Sequence, residues 1–240
     1  DVELGAHHLT TQGVLDPQSR ETAESMDHME DVQFLSEGWF DYPAEESRRD
    51  WFNLGGFSKV QPYYTRNAEI CALRNDVKPF IRSYFNTICS LLNMETLWLW
   101  EHFRNVAAWN KTHETGWFLC QTRIMLVQER EGELWLAPFV ARNWLEDGKT
   151  VSVANAPTNF GPVSYCIESA VDKDVIECTV EPPTVRQPSR IVLRLRHPES
   201  KPIKTVTVNG KPYGDFDVEG ETISLPTDPG RLVVRVVYGG

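Results

Sequence analysis

Apolar residues recur at helical spacing in three segments of the first half of the chain. In residues 77–93 they fall at i, i+3, i+4 and i+7, while Arg82 and Ser83 lie off the stripe, which is typical of an amphipathic helix packed on a core. Residues 61–75 form a candidate helix just before it, and residues 112–129 a third one with few polar faces. This period predicts a helical segment over residues 1–148.

The hydrophobic period changes to two in the second half of the chain. Residues 133–139 resemble a short strand. Seven further segments alternate apolar and polar residues between Pro, Gly and Asp-rich turns, at 151–154, 163–168, 175–180, 191–196, 205–208, 222–225 and 232–238. Asn209-Gly210, between two of them, is a strong hairpin signal. The pattern predicts a small antiparallel β-sandwich over residues 149–240, and therefore an α+β chain with more than one domain.

Composition and charge limit the partners that this chain is expected to have. The 240 residues are 41% hydrophobic and carry a formal net charge of -10, as in an ordinary soluble globular protein. Residues 151–240 hold 10 Lys and Arg against 11 Asp and Glu, so the first 150 residues carry nearly all the negative charge. Such a field repels phosphate backbones and anionic lipid, and no run of about 18 apolar residues occurs. Neither nucleic acid nor a membrane is expected as a partner, and localisation stays open, with secretion or the periplasm both compatible.

Several enzyme classes are excluded by the motifs that the sequence lacks. After His113-Glu114, Trp117 stands where a second His would complete H-E-x-x-H, so no zinc site is expected. No nucleotide-binding glycine motif and no G-x-S-x-G elbow occurs, and no cofactor is implied. The five cysteines form no C-x-x-C pair; Cys166 and Cys178 are either free thiols or a disulfide across a hairpin.

Aromatic and ionisable residues are concentrated between residues 96 and 117. All eight tryptophans precede residue 150, where indoles either stack on sugar rings or fill a helical core. The densest stretch contains Trp98, Trp100, Glu101, His102, Trp109, His113, Glu114 and Trp117. A carboxylate walled by indoles is partly desolvated, which raises its pKa toward values useful for proton transfer. We therefore expect the functional site in this stretch, which the helical pattern leaves as an irregular connection between helices.

At these residues the chain resembles the inverting glycoside hydrolases built on an (α/α)6 barrel with a C-terminal β-sandwich, the α-L-rhamnosidase-like group in particular. That group has a Trp-Glu pair near the end of the barrel, followed by a His-containing loop that opens the last helix. Trp100-Glu101 and His113 match these elements. The stretches 136–139, 143–149 and 155–164 also look like the passage from barrel to sandwich in such enzymes. The resemblance spans roughly residues 60–240 and implies that the helical segment is part of a toroid.

The resemblance implies an inverting reaction with two carboxyl groups roughly 6.5–9.5 Å apart, one protonating the leaving oxygen and the other activating water. Glu101 would be the general base, and the substrate a plant or microbial glycan. The sugar would be bound by Trp98, Trp100, His102, Trp109, His113 and Trp117. The group's general-acid loop has no match upstream of Glu101. An upstream portion of the same protein, or another chain, is therefore expected to complete the barrel and the site.

Other interpretations of the same residues stay open. The chain could be a non-catalytic carbohydrate-binding module or an accessory, structural subunit, because fold alone does not decide function. Glu101 could be a structural carboxylate at a helix N-terminus, and Glu114 is expected to complement a helix dipole. His102 and His113 either orient Glu101 or form a hydrogen bond with a sugar hydroxyl. Alternatively, they are core histidines whose hydrogen bonds are made within the protein.

Overall fold

The computed structural model describes residues 2–29, 66–102, 106–109, 112–228 and 230–239. The chain divides into two compact units, Asp1–Ile124 and Met125–Gly240. Helices dominate the described part of the first unit and strands dominate the second. The α+β organisation, with a helical part followed by a β-sandwich-like unit, is therefore confirmed, while the (α/α)6 toroid stays a prediction. Within the ranges given above, no helix is both long and apolar enough to cross a bilayer.

The described helices are α1 (Val2–Thr11), α2 (Arg20–Met29), α3 (Asn67–Arg74), α4 (Val77–Leu91) and α5 (Thr112–Leu126). The last three follow the segments that the sequence predicted, whereas α1 and α2 lie in a part of the chain where no periodic segment was predicted. Asn75 adopts a left-handed conformation after α3, and its N–H donates to the carbonyl of Ala72, which closes the helix end. Pro79 lies in the first turn of α4, where its missing N–H leaves no helical bond unmade. Of the helix predicted over residues 61–75, positions 61–65 lie outside the described ranges.

Helices α4 and α5 contact each other through Tyr84. Its ring stacks on Phe118 with 6.0 Å between the ring centroids, and its hydroxyl shares a hydrogen bond of 2.8 Å with Thr122 Oγ1. Tyr84 and Phe80 are buried on the stripe that the sequence predicted for residues 77–93. The contact therefore fixes the face of α5 that carries Phe118 and Thr122 against α4.

A two-stranded ribbon occupies part of the stretch between α4 and α5. Strand β1 (Trp100–His102) pairs antiparallel with β2 (Val106–Trp109), in place of the irregular connection that the sequence predicted. Trp100 is opposite Trp109 and His102 is opposite Val106, with a register shift between the two pairs. Aromatic and β-branched residues favour such extended pairing, and strands of three and four residues are too short to show a period of two in the sequence.

Two sheets make up the second unit. One has the strand order β10-β9-β13-β7-β6-β5, and the other β11-β12-β8-β4-β3. The strands are β3 (Val127–Arg130), β4 (Glu133–Leu136), β5 (Thr150–Ala156), β6 (Val163–Ala170), β7 (Val175–Glu181), β8 (Arg190–Arg194), β9 (Ile203–Val208), β10 (Lys211–Tyr213), β11 (Phe216–Asp217), β12 (Thr222–Leu225) and β13 (Leu232–Tyr238). Buried residues of both sheets, such as Ile167 on β6 and Leu134 on β4, belong to one core. The seven segments predicted after residue 150 all contain strand. Burial alternates along β6 and β13, as a half-buried sheet requires, whereas Ile191–Arg194 of β8 are all buried.

The β unit begins earlier in the chain than the sequence indicated. The prediction placed the sandwich at 149–240 and continued the third helix to residue 129, whereas α5 ends at Leu126 and is followed by β3 and β4. Strand β4 pairs with β8 along its whole length, and this pairing is parallel rather than antiparallel. Val127 is apolar because it lies in the core of the β unit. In the sequence it continued the apolar stripe of the helix, although its backbone is extended. The division between the two compact units falls between Ile124 and Met125, while the domain boundary at residues 148 and 149 stays a prediction.

The hairpin predicted at Asn209-Gly210 joins β9 to β10. Val208 pairs with Lys211 across the turn, and both turn residues have positive φ, 51° for Asn209 and 76° for Gly210. This is the backbone that a two-residue type I′ turn requires.

The five cysteines are free thiols. Cys166 is opposite Thr179 and Cys178 is opposite Ile167 on the paired strands β6 and β7. Because neighbouring positions of a strand point to opposite faces of a sheet, Cys166 and Cys178 lie on different faces. The free-thiol alternative is the one that the structure bears out.

Candidate functional site

Five of the predicted site residues lie in the two strands of the ribbon and at the start of α5. Trp100, Glu101 and His102 form β1, Trp109 ends β2, and His113 lies in the first turn of α5. The backbone pairs Trp100 with Trp109, and the register shift falls between Trp100 and His102, at Glu101. The side chains of Glu101, His102 and Trp109 lie outside what the structure describes. The proximity of Glu101 to the indoles therefore stays a prediction.

A tight turn precedes the ribbon and presents Trp98. The side-chain Oδ1 of Asn93 accepts hydrogen bonds from the N–H groups of Glu95 and Thr96. The Asn93 N–H donates in turn to the Trp98 carbonyl at 2.8 Å. Trp98 is 41% exposed, so much of its indole surface is open to solvent. An exposed indole beside a strand is a surface on which a sugar ring could stack.

Trp100 presents a hydrogen-bond donor that the described part of the chain does not use. Its indole is half-buried, and its Nε1 is buried with no hydrogen-bond partner among the described residues. Buried indole N–H groups usually have an acceptor. Trp100 therefore offers a donor next to Glu101 in the sequence.

Trp117 is held in place by a buried ion pair rather than presented to solvent. The Arg66 guanidinium lies 3.9 Å from the centre of the Trp117 ring, a cation–π contact. Arg66 Nε also contacts Glu69 Oε1 at 3.0 Å. The indole packs beside Leu91 and Leu99, two buried residues of α4 and the turn region. Since Arg66 covers one face of the ring, only the other face of Trp117 can serve a ligand.

Glu69 is the best-connected buried carboxylate that the structure describes. One oxygen contacts Arg66, and the other accepts a hydrogen bond of 2.9 Å from Gln121 Nε2. Burial raises the pKa of Glu69, and the Arg66 charge opposes that shift. Arg66, Glu69 and Gln121 were missed by the sequence analysis. The available signal was a lone glutamate between the apolar residues Ala68 and Ile70.

His113 and Glu114 contact each other at the start of α5. His113 Nε2 lies 2.8 Å from Glu114 Oε1, and the Glu114 side chain is fully buried while that of His113 is 37% exposed. Glu114 is in the first turn of the helix, where negative charge complements the dipole. Glu114 therefore fits the helix-dipole role expected of it, and His113 lies at the solvent side of the pair.

The described side chains of this region offer stacking and hydrogen-bonding groups. In the described ranges, no three His, Cys, Asp or Glu side chains lie close enough together to hold a metal ion. What the region offers is an exposed indole, a free indole N–H, and a helix start with a His–Glu pair. These groups suit a ring-shaped polar ligand, because indoles stack on its faces and N–H groups bond its hydroxyls.

Comparison with known proteins gives only distant likenesses. No protein-family model matches the sequence, and no curated protein matches it. Among solved structures, the chain is similar to one described as a glycoside hydrolase, with 13% identity and a TM-score of 0.37 over 73% of this chain and 30% of that one. It is also similar to a GH127 β-arabinofuranosidase, with 10% identity and a TM-score of 0.36 over 74% of this chain and 30% of that one. The chain thus spans 30% of the length of each, and likeness at this level assigns neither a family nor an activity.

Proposed function

We propose that the ribbon and the start of α5 form a carbohydrate-processing site, and that the chain is a C-terminal part of an inverting glycoside hydrolase. The substrate is a plant or microbial glycan, and Glu101 is the general base that activates water. The sugar is bound by Trp98, Trp100, His102, Trp109, His113 and Trp117. The α-L-rhamnosidase-like group remains the family whose motifs these residues resemble.

The register of the ribbon carries this proposal. Trp100 and Trp109 are cross-strand partners, and partners in an antiparallel pair share one face of the ribbon. The register shift falls at Glu101. Such bulges recur beside active sites because they redirect a side chain. We infer that the shift directs the Glu101 carboxylate toward the sugar, as the general base of an inverting hydrolase requires.

The buried carboxylates of the helical unit support the site rather than act in it. Glu69 is engaged by Arg66 and Gln121, and Glu114 by His113. A general acid must instead reach the leaving oxygen from the opposite side of the sugar, roughly 6.5–9.5 Å from the base. We therefore assign the general acid to an upstream portion of the protein or to another chain, which would also complete the barrel.

The test is a pair of variants in a full-length, active protein. Glu101→Gln removes the base and should lower kcat by about 10²- to 10⁴-fold, with a smaller effect on KM because the amide keeps the side-chain shape. Glu95→Gln, an exposed glutamate in the preceding turn, should keep the wild-type kcat. NMR of the first-formed product should show an inverted anomeric centre. Wild-type turnover in Glu101→Gln would end the catalytic assignment.

A carbohydrate-binding or accessory role is the second candidate, and the exposure of Trp98 favours it. An indole that is 41% exposed can stack on a sugar without any chemistry. Assays of residues 1–240 with aryl glycosides, alone and with an upstream fragment, separate the two roles. We expect the 240 residues alone to be inert and the upstream fragment to restore turnover. Sugar binding that stays without turnover in both cases would establish the second role.

A further inference from the structure

A polar cavity lies among α2, α3 and α4. Its volume is about 190 Å³, whereas a single buried water needs only roughly 10–15 Å³ of comparable space. Each of the three helices contributes to the lining, with Asp27 from α2, Asn67 and Cys71 from α3, and Ser83 from α4. The cavity is therefore large enough for a small organic molecule and is not a packing defect that one water would fill.

Asn67 lines this cavity with a side-chain amide that makes no hydrogen bond to any described residue. Its side chain is 3% exposed, and neither its Oδ1 nor its Nδ2 has a partner within the part of the chain that the structure describes. Asn67, Cys71 and Arg74 are spaced at i, i+4 and i+7 along α3 and line the same cavity. Because leaving both a buried donor and a buried acceptor unused is costly, the amide indicates a polar occupant.

The charges around the cavity balance. Arg74 Nε forms an ion pair of 2.8 Å with Asp76, and Arg74 Nη1 donates to the Pro17 carbonyl at 2.6 Å. The other charged lining residues are Asp27 and Arg82. Two carboxylates and two guanidinium groups give the lining no net charge, so it does not favour a phosphate or a metal cation over a neutral ligand.

We infer that this cavity binds a neutral polyol of monosaccharide size. An amide supplies a donor and an acceptor side by side, and each hydroxyl of a sugar both donates and accepts. The flanking carboxylates and guanidinium groups extend that pattern, while Cys71 and Ala23 give the apolar contact that a ring needs. The inference does not depend on Glu101, because it rests on α2, α3 and α4 alone.

Saturation-transfer NMR on the 240-residue chain tests the inference with L-arabinose as the probe and cyclohexanol as an apolar probe of similar size. Arabinose should receive saturation and cyclohexanol should not. Asn67→Leu, which keeps the volume but loses both polar atoms, should weaken arabinose binding at least about tenfold. The matched control is Asn143→Leu, at an exposed asparagine of the β unit, which should bind as wild type. The lining residues lie on α2, α3 and α4 and in the turn between α3 and α4, so failure of the catalytic proposal at Glu101 would leave this result standing.

A second measurement avoids variants altogether. Cys71 lines the cavity and is 2% exposed, whereas Cys89 and Cys120 are exposed. With arabinose at about ten times its Kd, alkylation of Cys71 should slow about tenfold, while Cys89 and Cys120 react as before. No saturation transfer in the wild type, equal binding in Asn67→Leu, or unchanged Cys71 labelling would overturn the inference.

Discussion

At the residue scale, Glu69 shows how one buried polar side chain can hold the candidate site of the helical unit together. Glu69 is 5% exposed, yet its two carboxyl oxygens contact Arg66 and Gln121 at 3.0 and 2.9 Å. A buried ion pair adds little net stability, but removing one partner leaves the other charge buried alone. Glu69 thereby fixes Arg66 over Trp117 and links the candidate site to α3.

Glu69→Ala should therefore destabilise the helical unit strongly. We expect a loss of about 3–5 kcal/mol in the free energy of unfolding, measured by urea denaturation with tryptophan fluorescence. The control is Glu24→Gln in the exposed Arg20–Glu24 pair, which should change stability by less than about 0.5 kcal/mol. A Glu69→Ala protein as stable as the control would show that the buried pair is energetically neutral.

His197 gives the β unit a pH-dependent stability. It is 1% exposed, and its Nδ1 accepts the Glu199 N–H at 3.1 Å. Its Nε2 lies 4.0 Å from Asp174 Oδ1, too far for a hydrogen bond. Burial, followed by the Lys201 charge, lowers the pKa of His197 below 6.5. The folded protein therefore holds this histidine neutral where the unfolded chain already protonates it.

Stability should consequently fall as the pH falls below about 6.5, by up to roughly 1.4 kcal/mol per pH unit from this group. The sign follows because a lowered pKa means that the unfolded state binds the proton first. His197→Gln should remove this contribution, so that its urea midpoint changes less between about pH 7 and pH 5. His8→Gln, at an exposed histidine of the helical unit, should keep the wild-type slope. Equal slopes for wild type and His197→Gln would contradict the assignment.

At the element scale, helices and strands with one dominant period could be predicted from the sequence, and tertiary pairings could not. The segment 77–93 and α4 (Val77–Leu91) nearly coincide, as do 222–225 and β12, because one buried face imposes its spacing on the sequence. The ribbon escaped prediction because its three- and four-residue strands carry no readable period. The contact of Arg66 with Trp117 joins distant positions and has no local signature.

The turn residues Asn209-Gly210 were the most reliable local signal in the sequence, and they give a prediction about the β9–β10 hairpin. Gly210 has a φ of 76°, and a Cβ there would meet nothing within 4 Å, so any cost of substitution comes from the backbone alone. Gly210→Ala should destabilise the β unit by about 1–2 kcal/mol, the cost of placing an L-residue in the left-handed region. Gly214→Ala also meets open space, and Gly214 has no positive φ, so it should be neutral within about 0.5 kcal/mol. Equal thermal midpoints for the two variants would refute the backbone argument.

At the scale of the whole molecule, the position of the boundary decides which residues the β unit needs. The segment between β4 and β5 is tied to the sheets by Arg142, which donates to both oxygens of Glu221 at 2.8 Å. Arg194 Nη1 donates to the Pro138 carbonyl at 2.7 Å. Tyr165 donates to the Leu126 carbonyl at 2.9 Å. Residues 126–142 are therefore integral to the sandwich rather than a linker that leads into it.

The consequence is that a fragment of residues 125–240 should fold and one of residues 149–240 should not. The shorter fragment lacks β4, the parallel partner of β8, and loses the fully buried Leu134 and Leu136. Losing one buried leucine side chain costs about 2–5 kcal/mol, so losing both, together with the β4 hydrogen bonds, removes most of the roughly 5–15 kcal/mol that stabilises a typical domain.

Amide dispersion in NMR spectra and the cooperativity of urea unfolding measure this difference. The longer fragment should show a dispersed spectrum and one sharp transition. The shorter one should show collapsed amide shifts or aggregation, because β8 would expose its unpaired edge. If residues 149–240 unfolded with the same midpoint as residues 125–240, β3 and β4 would be dispensable, and the boundary would belong at residue 149 after all.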